Sequence, residues 1–187
     1  MVAGRSHKPR SRGFESHSLN KIWSLFITSI HLYMERYFRT EDGKMVNVIE
    51  HTLEQIEKWP NLKIYIATDS QDSGKESKYA TVVVYRYGTR GAHYIYFKDA
   101  VPRRDMFTRL YDEAVRTIET AQMIDSEIPV SFAALEFDYN TLPKWASNKL
   151  VSSIRGWVKG LNYNFVFKNT GNDIMIAAKA ADHVCRR

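Results

Sequence analysis

The chain has 187 residues, of which 44% are hydrophobic, enough for one domain with a buried core. Its single cysteine, Cys185, excludes an internal disulfide and a multi-cysteine zinc site, and it suits a reducing cytoplasm. The formal charge is +6, but residues 1–33 carry +4 of it through five basic residues and Glu15, which leaves +2 for the rest. A body so weakly basic is only a mild indication of polyanionic partners.

The first 33 residues differ from the rest of the chain. Their first part lacks a periodic apolar pattern, so we expect it to be disordered. The apolar run Trp23–Tyr33 is shorter than the roughly 20 residues of a membrane span and is not followed by a signal-peptide cleavage site. Alternatively the segment is non-native, because Arg12–Ser16 resembles the T-arm of a tRNA gene translated in frame, and Met34 is then the start. We expect an N-terminal extension over 1–33 and a single domain over 34–187.

The spacing of apolar residues changes along the chain between the period of about 3.6 that is typical of helices and the period of two that is typical of strands. The spacing predicts a helix over Met45–Lys58, strands over Leu62–Asp69, Lys78–Arg86 and Ala92–Lys98, and a hairpin turn at Gly88–Gly91. It then predicts a helix over Asp105–Met123, a strand over Val130–Asp138, a helix over Asn148–Leu161, a strand over Tyr163–Lys168 and a helix over Asp173–Arg187. Short turns make the first three strands antiparallel, and helical crossovers make the later strands parallel. We therefore predict an α/β fold with a mixed five-stranded sheet, in the order β-β-β-α-β-α-β-α, with helices on both faces and an extra helix in front.

Acidic residues recur where these strands and helices could bring them together. Asp69 ends the first strand, and Glu136 and Asp138 end the fourth strand on one face of the sheet. Glu113 flanks the apolar stripe of the helix after the third strand, whereas Asp112 points nearly the opposite way. Desolvating a carboxylate on an interior strand is costly, so such a group normally has a positive partner or a metal ion.

The final helix adds another candidate carboxylate. Asp182 shares a helix face with Met175, Ala178 and Cys185, which predicts that it looks inward. Several carboxylates cannot share a small site as bare anions, and Mg²⁺ or Mn²⁺ with oxygen ligands would resolve the conflict. If the groups converge, two such ions could activate water for phosphodiester cleavage.

Several short motifs carry a resemblance to a known family. They are Ile66–Gln71, Val101–Arg103, Arg109–Glu113, Leu135–Asn140, Ser147–Leu150 and Ala180–Asp182. In this order and spacing they resemble the ribonuclease H-like superfamily and, within it, the YkuK-like family of bacterial ribonuclease H-related proteins. The resemblance covers about Met45 to Arg187, most of the chain.

The resemblance implies a metal-dependent nuclease or a relative of one. Its catalytic and metal-binding acids would be Asp69, Glu113, Asp138 and Asp182, holding two Mg²⁺ or Mn²⁺ ions. Second choices are Glu136, Asp173 and His183. The nucleic-acid contacts we expect are Ser70, Gln71, Asn140 and Lys149.

Each of these residues also has a simpler interpretation. Asp69 could be an ordinary turn aspartate that bonds the next loop, and Asp173, after Gly171 and Asn172, could be a helix cap. Cys185 reads as a packed small residue. Four tyrosines could stack bases, although a cross-strand aromatic ladder is the favoured interpretation. They are Tyr85, Tyr87, Tyr94 and Tyr96.

Two functions of different classes fit this pattern. The leading hypothesis is a cytoplasmic endonuclease that needs Mg²⁺ or Mn²⁺ and cleaves RNA, RNA–DNA hybrid or structured DNA, with no membrane partner. The alternative is a nucleic-acid-binding or assembly module that keeps the fold without catalysis. A phosphotransferase is disfavoured because Gly74 stands alone after the first strand, without a glycine-rich phosphate loop.

Overall fold

The structure is a computed structural model that describes residues 36–168 and 175–187. The predicted extension over 1–33 lies outside the described residues, and Arg36–Arg187 forms one compact unit. The strands are β1 (Tyr37–Thr40), β2 (Met45–Asn47), β3 (Lys63–Ser73), β4 (Glu76–Arg86), β5 (Ala92–Pro102), β6 (Ala134–Asn140) and β7 (Phe165–Lys168). The helices are α1 (Val48–Lys58), α2 (Met106–Glu127), α3 (Asn148–Gly160) and α4 (Ile176–Arg186). None of the described helices is both long and apolar enough to cross a bilayer.

All seven strands form one mixed sheet in the order β2-β1-β5-β4-β3-β6-β7. The antiparallel meander of β3, β4 and β5 is confirmed, as is the parallel pairing of β3 with β6 and of β6 with β7. Strand β3 is therefore central, with an antiparallel neighbour on one side and a parallel neighbour on the other. The predicted α/β class is correct.

The predicted strand number of five is wrong, because β1 and β2 extend the sheet beyond β5. Strand β2 falls in the segment predicted as the first turn of a helix. The helix begins only at Val48, because the Asn47 side chain accepts hydrogen bonds from the backbone N–H groups of Ile49 (2.9 Å) and Glu50 (3.4 Å). Met45 had fitted the helical spacing, yet it pairs with Arg39 in the sheet.

The β3–β4 hairpin is longer than the sequence pattern predicts. The polar residues after Asp69 continue the ladder as far as the pair Ser73 and Glu76, and Gly74 turns the chain with φ +62°. The hydroxyl of Ser77 donates to Asp72 across this extension at 2.7 Å. Asp69 therefore lies inside a strand, paired with Ala80, rather than at a strand end or in a turn.

Helices cover both faces of the sheet, as predicted. On one face, α1, α2 and α3 pack on a core that includes Ile66, Val83 and Leu135. On the other face, α4 packs on a smaller core built from Ala67, Val82 and their neighbours. Consecutive residues of β3 point to opposite faces, so Asp69 lies on the α4 face and Ser70 on the α2 face.

The four tyrosines of the β4–β5 hairpin are divided between the two faces of the sheet, with Tyr85 and Tyr87 on one face and Tyr94 and Tyr96 on the other. Tyr85 is fully buried, shares a hydrogen bond of 2.7 Å with the Thr52 hydroxyl and stacks on His93 of the opposite strand. Tyr87 also stacks on His93, and His93 lies 2.8 Å from the ring nitrogen of His51. These contacts make Tyr85, Tyr87 and His93 part of the packing between α1 and the sheet.

Candidate functional site

The centre of the candidate site is Asp69, on the α4 face of β3. The pKa of its carboxyl is raised to about 6, mainly by burial and in addition by the negative charges of Asp182 and Asp138. Asp182 lies close enough to share a hydrogen bond with Asp69 when one of the two is protonated. A backbone hydrogen bond from Ser70 opposes these effects. Asp69 is thus a carboxylate that is unfavourable to ionise and has two acidic neighbours.

Asp138 reaches Asp69 because strands β3 and β6 separate at this point. Their parallel pairing ends with Ala67 opposite Glu136. The next residue on the α4 face is Asp69 in β3 and Asp138 in β6. A register irregularity between β6 and β7 follows Phe137. The side chain of Asp138 is 46% exposed and pairs with the Lys168 ammonium group at 2.8 Å. The two aspartates therefore line the opening between the diverging strands.

Asp182 approaches the same opening from α4. Its carboxylate accepts a hydrogen bond of 2.7 Å from Arg186, one helical turn later, and both side chains are largely exposed. His183, the neighbouring second choice, is exposed on the helix. Asp182 is thus partly exposed, at 45%, and acts on the pKa of Asp69.

Glu113 approaches the site from α2, on the opposite face of the sheet. Its side chain is only 5% exposed, and its carboxylate accepts a hydrogen bond from the Ser70 hydroxyl. Burial raises the pKa of Glu113 to about 8, the Ser70 hydrogen bond opposes the rise, and the charges of Asp69 and Asp138 add to it. The neighbouring Asp112 turns away and accepts a hydrogen bond from Tyr79 at 3.0 Å.

An arginine supports the Ser70–Glu113 pair. Arg109, one turn before Glu113, donates to the Ser70 backbone carbonyl at 3.2 Å, and its charge lowers the pKa of Glu113. Its Nε atom is buried and is the one such side-chain atom without a hydrogen-bond partner among residues 36–168 and 175–187. The arginine partly offsets the negative charge that Glu113 brings to the interior.

Glu136, a second choice for the site, is buried and anchors a helix. It is 2% exposed, and its carboxylate accepts hydrogen bonds from the backbone N–H groups of Ile176 (3.2 Å) and Ala178 (2.9 Å). A carboxylate at a helix N-terminus satisfies free N–H groups and complements the helix dipole. Glu136 therefore fixes the start of α4 on β6 and so positions Asp182, which lies on that helix.

The other predicted residues are placed as follows. Asp173 lies outside the described residues. Asn140 forms a turn by accepting from the backbone N–H of Leu142 at 3.0 Å, Gln71 is exposed on β3, and Lys149 is exposed on α3. Burial raises the pKa of Cys185 to about 11, which agrees with the predicted role of a packed thiol.

Two cationic partners of the acids were missed in the sequence. The Asp182–Arg186 pair has the i,i+4 spacing of a helical ion pair and could have been predicted. The Asp138–Lys168 pair depends on the register of β7 against β6, which sequence periodicity does not reveal.

The donor chemistry of this site fits a hard divalent cation. Oxygen donors suit Mg²⁺ and Mn²⁺, and burial together with the neighbouring negative charges raises the pKa values of Asp69 and Glu113. Within the described residues, however, no three Asp, Glu, His or Cys side chains are already gathered in a metal-ligand arrangement. The acids can shift one another's pKa values without forming a ligand group, because charges act over longer distances than ligand contacts. In addition, Lys168 and Arg186 form salt bridges with two of the acids.

Comparison with known proteins agrees with this fold. No curated protein matches the chain. The family model described as Ribonuclease H-like matches residues 44–186, nearly the same span as the resemblance noted in the sequence, and the YkuK-like family is consistent with it. A ribonuclease H-like domain indicates, in general, a protein that binds nucleic acids. The chain belongs to the ribonuclease H-like family.

Proposed function

We propose that this protein is a metal-dependent nuclease that hydrolyses phosphodiester bonds. The observation that supports the proposal is that Asp69, Asp138, Asp182 and Glu113, which come from two strands and two helices, lie near enough to shift one another's pKa values. Asp138 and Asp182 act on the pKa of Asp69, and Asp69 and Asp138 act on that of Glu113. Such clustering of perturbed acids is typical of functional sites.

The residues divide into those that would hold metal and those that position them. Asp69, Asp138, Asp182 and Glu113 would hold Mg²⁺ or Mn²⁺, with two ions as the family resemblance implies. When bound, such ions lower the pKa of water and stabilise the charge on the leaving oxygen. Ser70 orients Glu113 through its hydroxyl, and Glu136 positions Asp182 by anchoring α4.

The cations beside the acids would serve the substrate. Lys168 and Arg186 lie at the exposed edge of the cluster, where a phosphodiester would approach. Loading of metal ions would weaken their attraction to Asp138 and Asp182, and the released side chains could then contact phosphate oxygens. RNA, RNA–DNA hybrid and structured DNA are the proposed substrates, in the cytoplasm, which the single buried cysteine suits.

A cleavage assay tests the proposal. The purified protein is incubated with end-labelled single-stranded RNA, RNA–DNA hybrid and branched DNA, each with Mg²⁺, Mn²⁺ or EDTA. We expect cleavage of at least one substrate in Mg²⁺ or Mn²⁺ and none in EDTA, because the acids need the cation to act on a phosphodiester. Cleavage that continues undiminished in EDTA would show a contaminating metal-independent nuclease or a different mechanism.

A second function is favoured by a specific observation. The salt bridges from Lys168 and Arg186 already neutralise two of the four acids, as they would in a protein that binds nucleic acid without metal. Such a binding module would show affinity for nucleic acid in EDTA and leave every substrate intact in either metal.

A further inference from the structure

Exposed apolar side chains concentrate in two segments of the described residues. The large exposed ones are Met45, Leu53, Met106, Phe107, Tyr111, Leu142 and Trp145. Five of these seven fall within residues 106–111 at the start of α2 and residues 142–145 before α3. Isolated exposed hydrophobic residues need no explanation, but a concentration of them marks an interaction site.

Ring contacts link the first segment to α3, the helix that follows the second segment. The Lys149 ammonium group lies 5.5 Å from the centre of the Phe107 ring, and the Tyr111 ring stacks on Trp157 of α3 at 6.3 Å. Lys144 lies 5.6 Å from the ring of Trp145. We call the exposed side chains of Phe107, Tyr111, Lys144, Trp145 and Lys149 the α2–α3 surface.

The α2–α3 surface lies on the side of the sheet from which Glu113 approaches the acidic cluster. The Tyr139 hydroxyl donates to the Leu110 carbonyl, which fixes the first turns of α2 to β6 next to Asp138. The loop after β6 is closed by hydrogen bonds from the Asn140 backbone N–H to Ser147 (3.0 Å) and from the Asn148 side chain to the Thr141 carbonyl (2.7 Å). A strand on this surface would therefore approach the acidic cluster from the side of Glu113.

The charge of the same region favours a polyanion. Residues 141–160 contain Lys144, Lys149, Arg155 and Lys159 but no Asp or Glu, which gives this segment a formal charge of +4. That exceeds the +2 of all residues after 33, so the basic character of the body is concentrated here. A two-fold contact between copies of the chain would place this segment against its own like charges, which is unfavourable.

We propose that the α2–α3 surface binds single-stranded nucleic acid, with unpaired bases stacked on Phe107, Tyr111 and Trp145. The phosphates of that strand would contact Lys144 and Lys149. Aromatic faces stack any base, but only where the base face is not already covered by a neighbour, as it is in a duplex. This inference rests on the proposed function, since it supplies the strand that the acidic cluster would cleave.

Binding in EDTA separates this inference from catalysis. Fluorescence anisotropy of the full chain is measured with labelled oligo-U and oligo-dT of about 12 nucleotides, and with the oligo-U·oligo-dA hybrid of equal length. We expect both single strands to bind at least about 10-fold more tightly than the hybrid. Trp145→Ala and Phe107→Ala should each weaken binding of the single strands roughly 5- to 100-fold. Lys149→Ala should reduce the steepness of the slope of log binding constant against log salt concentration by about 0.7, the value for one phosphate contact on a single strand.

Matched control variants complete the binding test, which is independent of cleavage. Leu53→Ala and Lys58→Ala should leave binding unchanged, because Leu53 is also exposed and Lys58 also lies over a tryptophan ring, Trp59, outside this surface. No binding, equal or tighter binding of the hybrid, or insensitivity to Trp145→Ala would overturn the inference. Self-association that the same variants abolish would instead assign the surface to a second copy. None of these results depends on metal-dependent cleavage, so the proposed function can fail or stand independently.

Discussion

Asp69→Asn is expected to reduce metal-dependent cleavage by roughly 100-fold or more, since even groups that only support metal ligands cost 10- to 100-fold. Asp138 of β6 and Asp182 of α4 both act on the Asp69 carboxyl, so the substitution removes the negative charge that the three acids share toward a cation. Asparagine has nearly the same shape but cannot carry the negative charge that a divalent cation needs. The measurement is the initial cleavage rate of the best substrate in Mn²⁺, for the native chain and the variant at equal concentration.

The matched control for this prediction is Asp125→Asn. Asp125 is exposed near the far end of α2 and accepts a hydrogen bond from Tyr163 at 3.1 Å, which asparagine can keep. We expect this variant to cleave at the native rate. Native-like cleavage by Asp69→Asn, with a native melting temperature, would contradict the assignment of Asp69.

In EDTA, the protein is expected to lose about 2 kcal/mol of unfolding free energy between about pH 6.5 and pH 8. The cause is Glu113, whose pKa is raised from 4.5 to about 8 by burial in the folded state. Since the folded state holds this proton more tightly than the unfolded state, the stabilisation is complete below pH 4.5 and is lost as the pH rises through about 8.

The chosen pH range isolates Glu113 from two other groups. Asp69 has a folded-state pKa of about 6, so its part of the loss is mostly over before this range begins. His93 acts in the opposite direction: burial lowers its pKa to about 4, so its contribution is lost as the pH falls from 6.5 through 4. Between about pH 4.5 and pH 6 the two acids together lose more stability than His93 gains, so the summed contribution of these three groups already falls as the pH rises toward neutrality.

Urea denaturation at several pH values measures this effect. Glu113→Gln should remove the loss, because glutamine does not ionise and can still accept the Ser70 hydrogen bond. Glu119→Gln, an exposed position on the same helix, should keep the native slope. A saturating concentration of Mg²⁺ should stabilise the native chain more at about pH 8 than at pH 6, because more of the acids are ionised there. An unchanged slope in Glu113→Gln would show that another group causes the loss.

Much of the fold follows from local patterns. Period-two alternation and the glycine turns predict the meander, and the later change to helical periodicity predicts the parallel strands. Strands β1 and β2 escaped prediction because they have only four and three residues, too few to show alternation. The extension of β3 beyond Asp69 escaped because its polar residues are held by pairing with β4, which is a long-range effect.

The site was predictable to the extent that its geometry is local. Helical geometry alone distinguishes Glu113 from Asp112, and strand alternation places Glu136 and Asp138 on one face. The separate roles of Glu136 and Asp138 depend instead on where α4 begins and on where β3 and β6 diverge. Neither position can be read from the sequence around those two residues.

The most direct test of the central claim is anomalous diffraction from crystals soaked in Mn²⁺ near pH 7.5. The assignment of the acids predicts manganese density in contact with the Asp69 carboxylate and with Asp138, absent from crystals of Asp69→Asn. Crystals of the native chain without manganese at these carboxylates, at a concentration that supports cleavage, would contradict the claim.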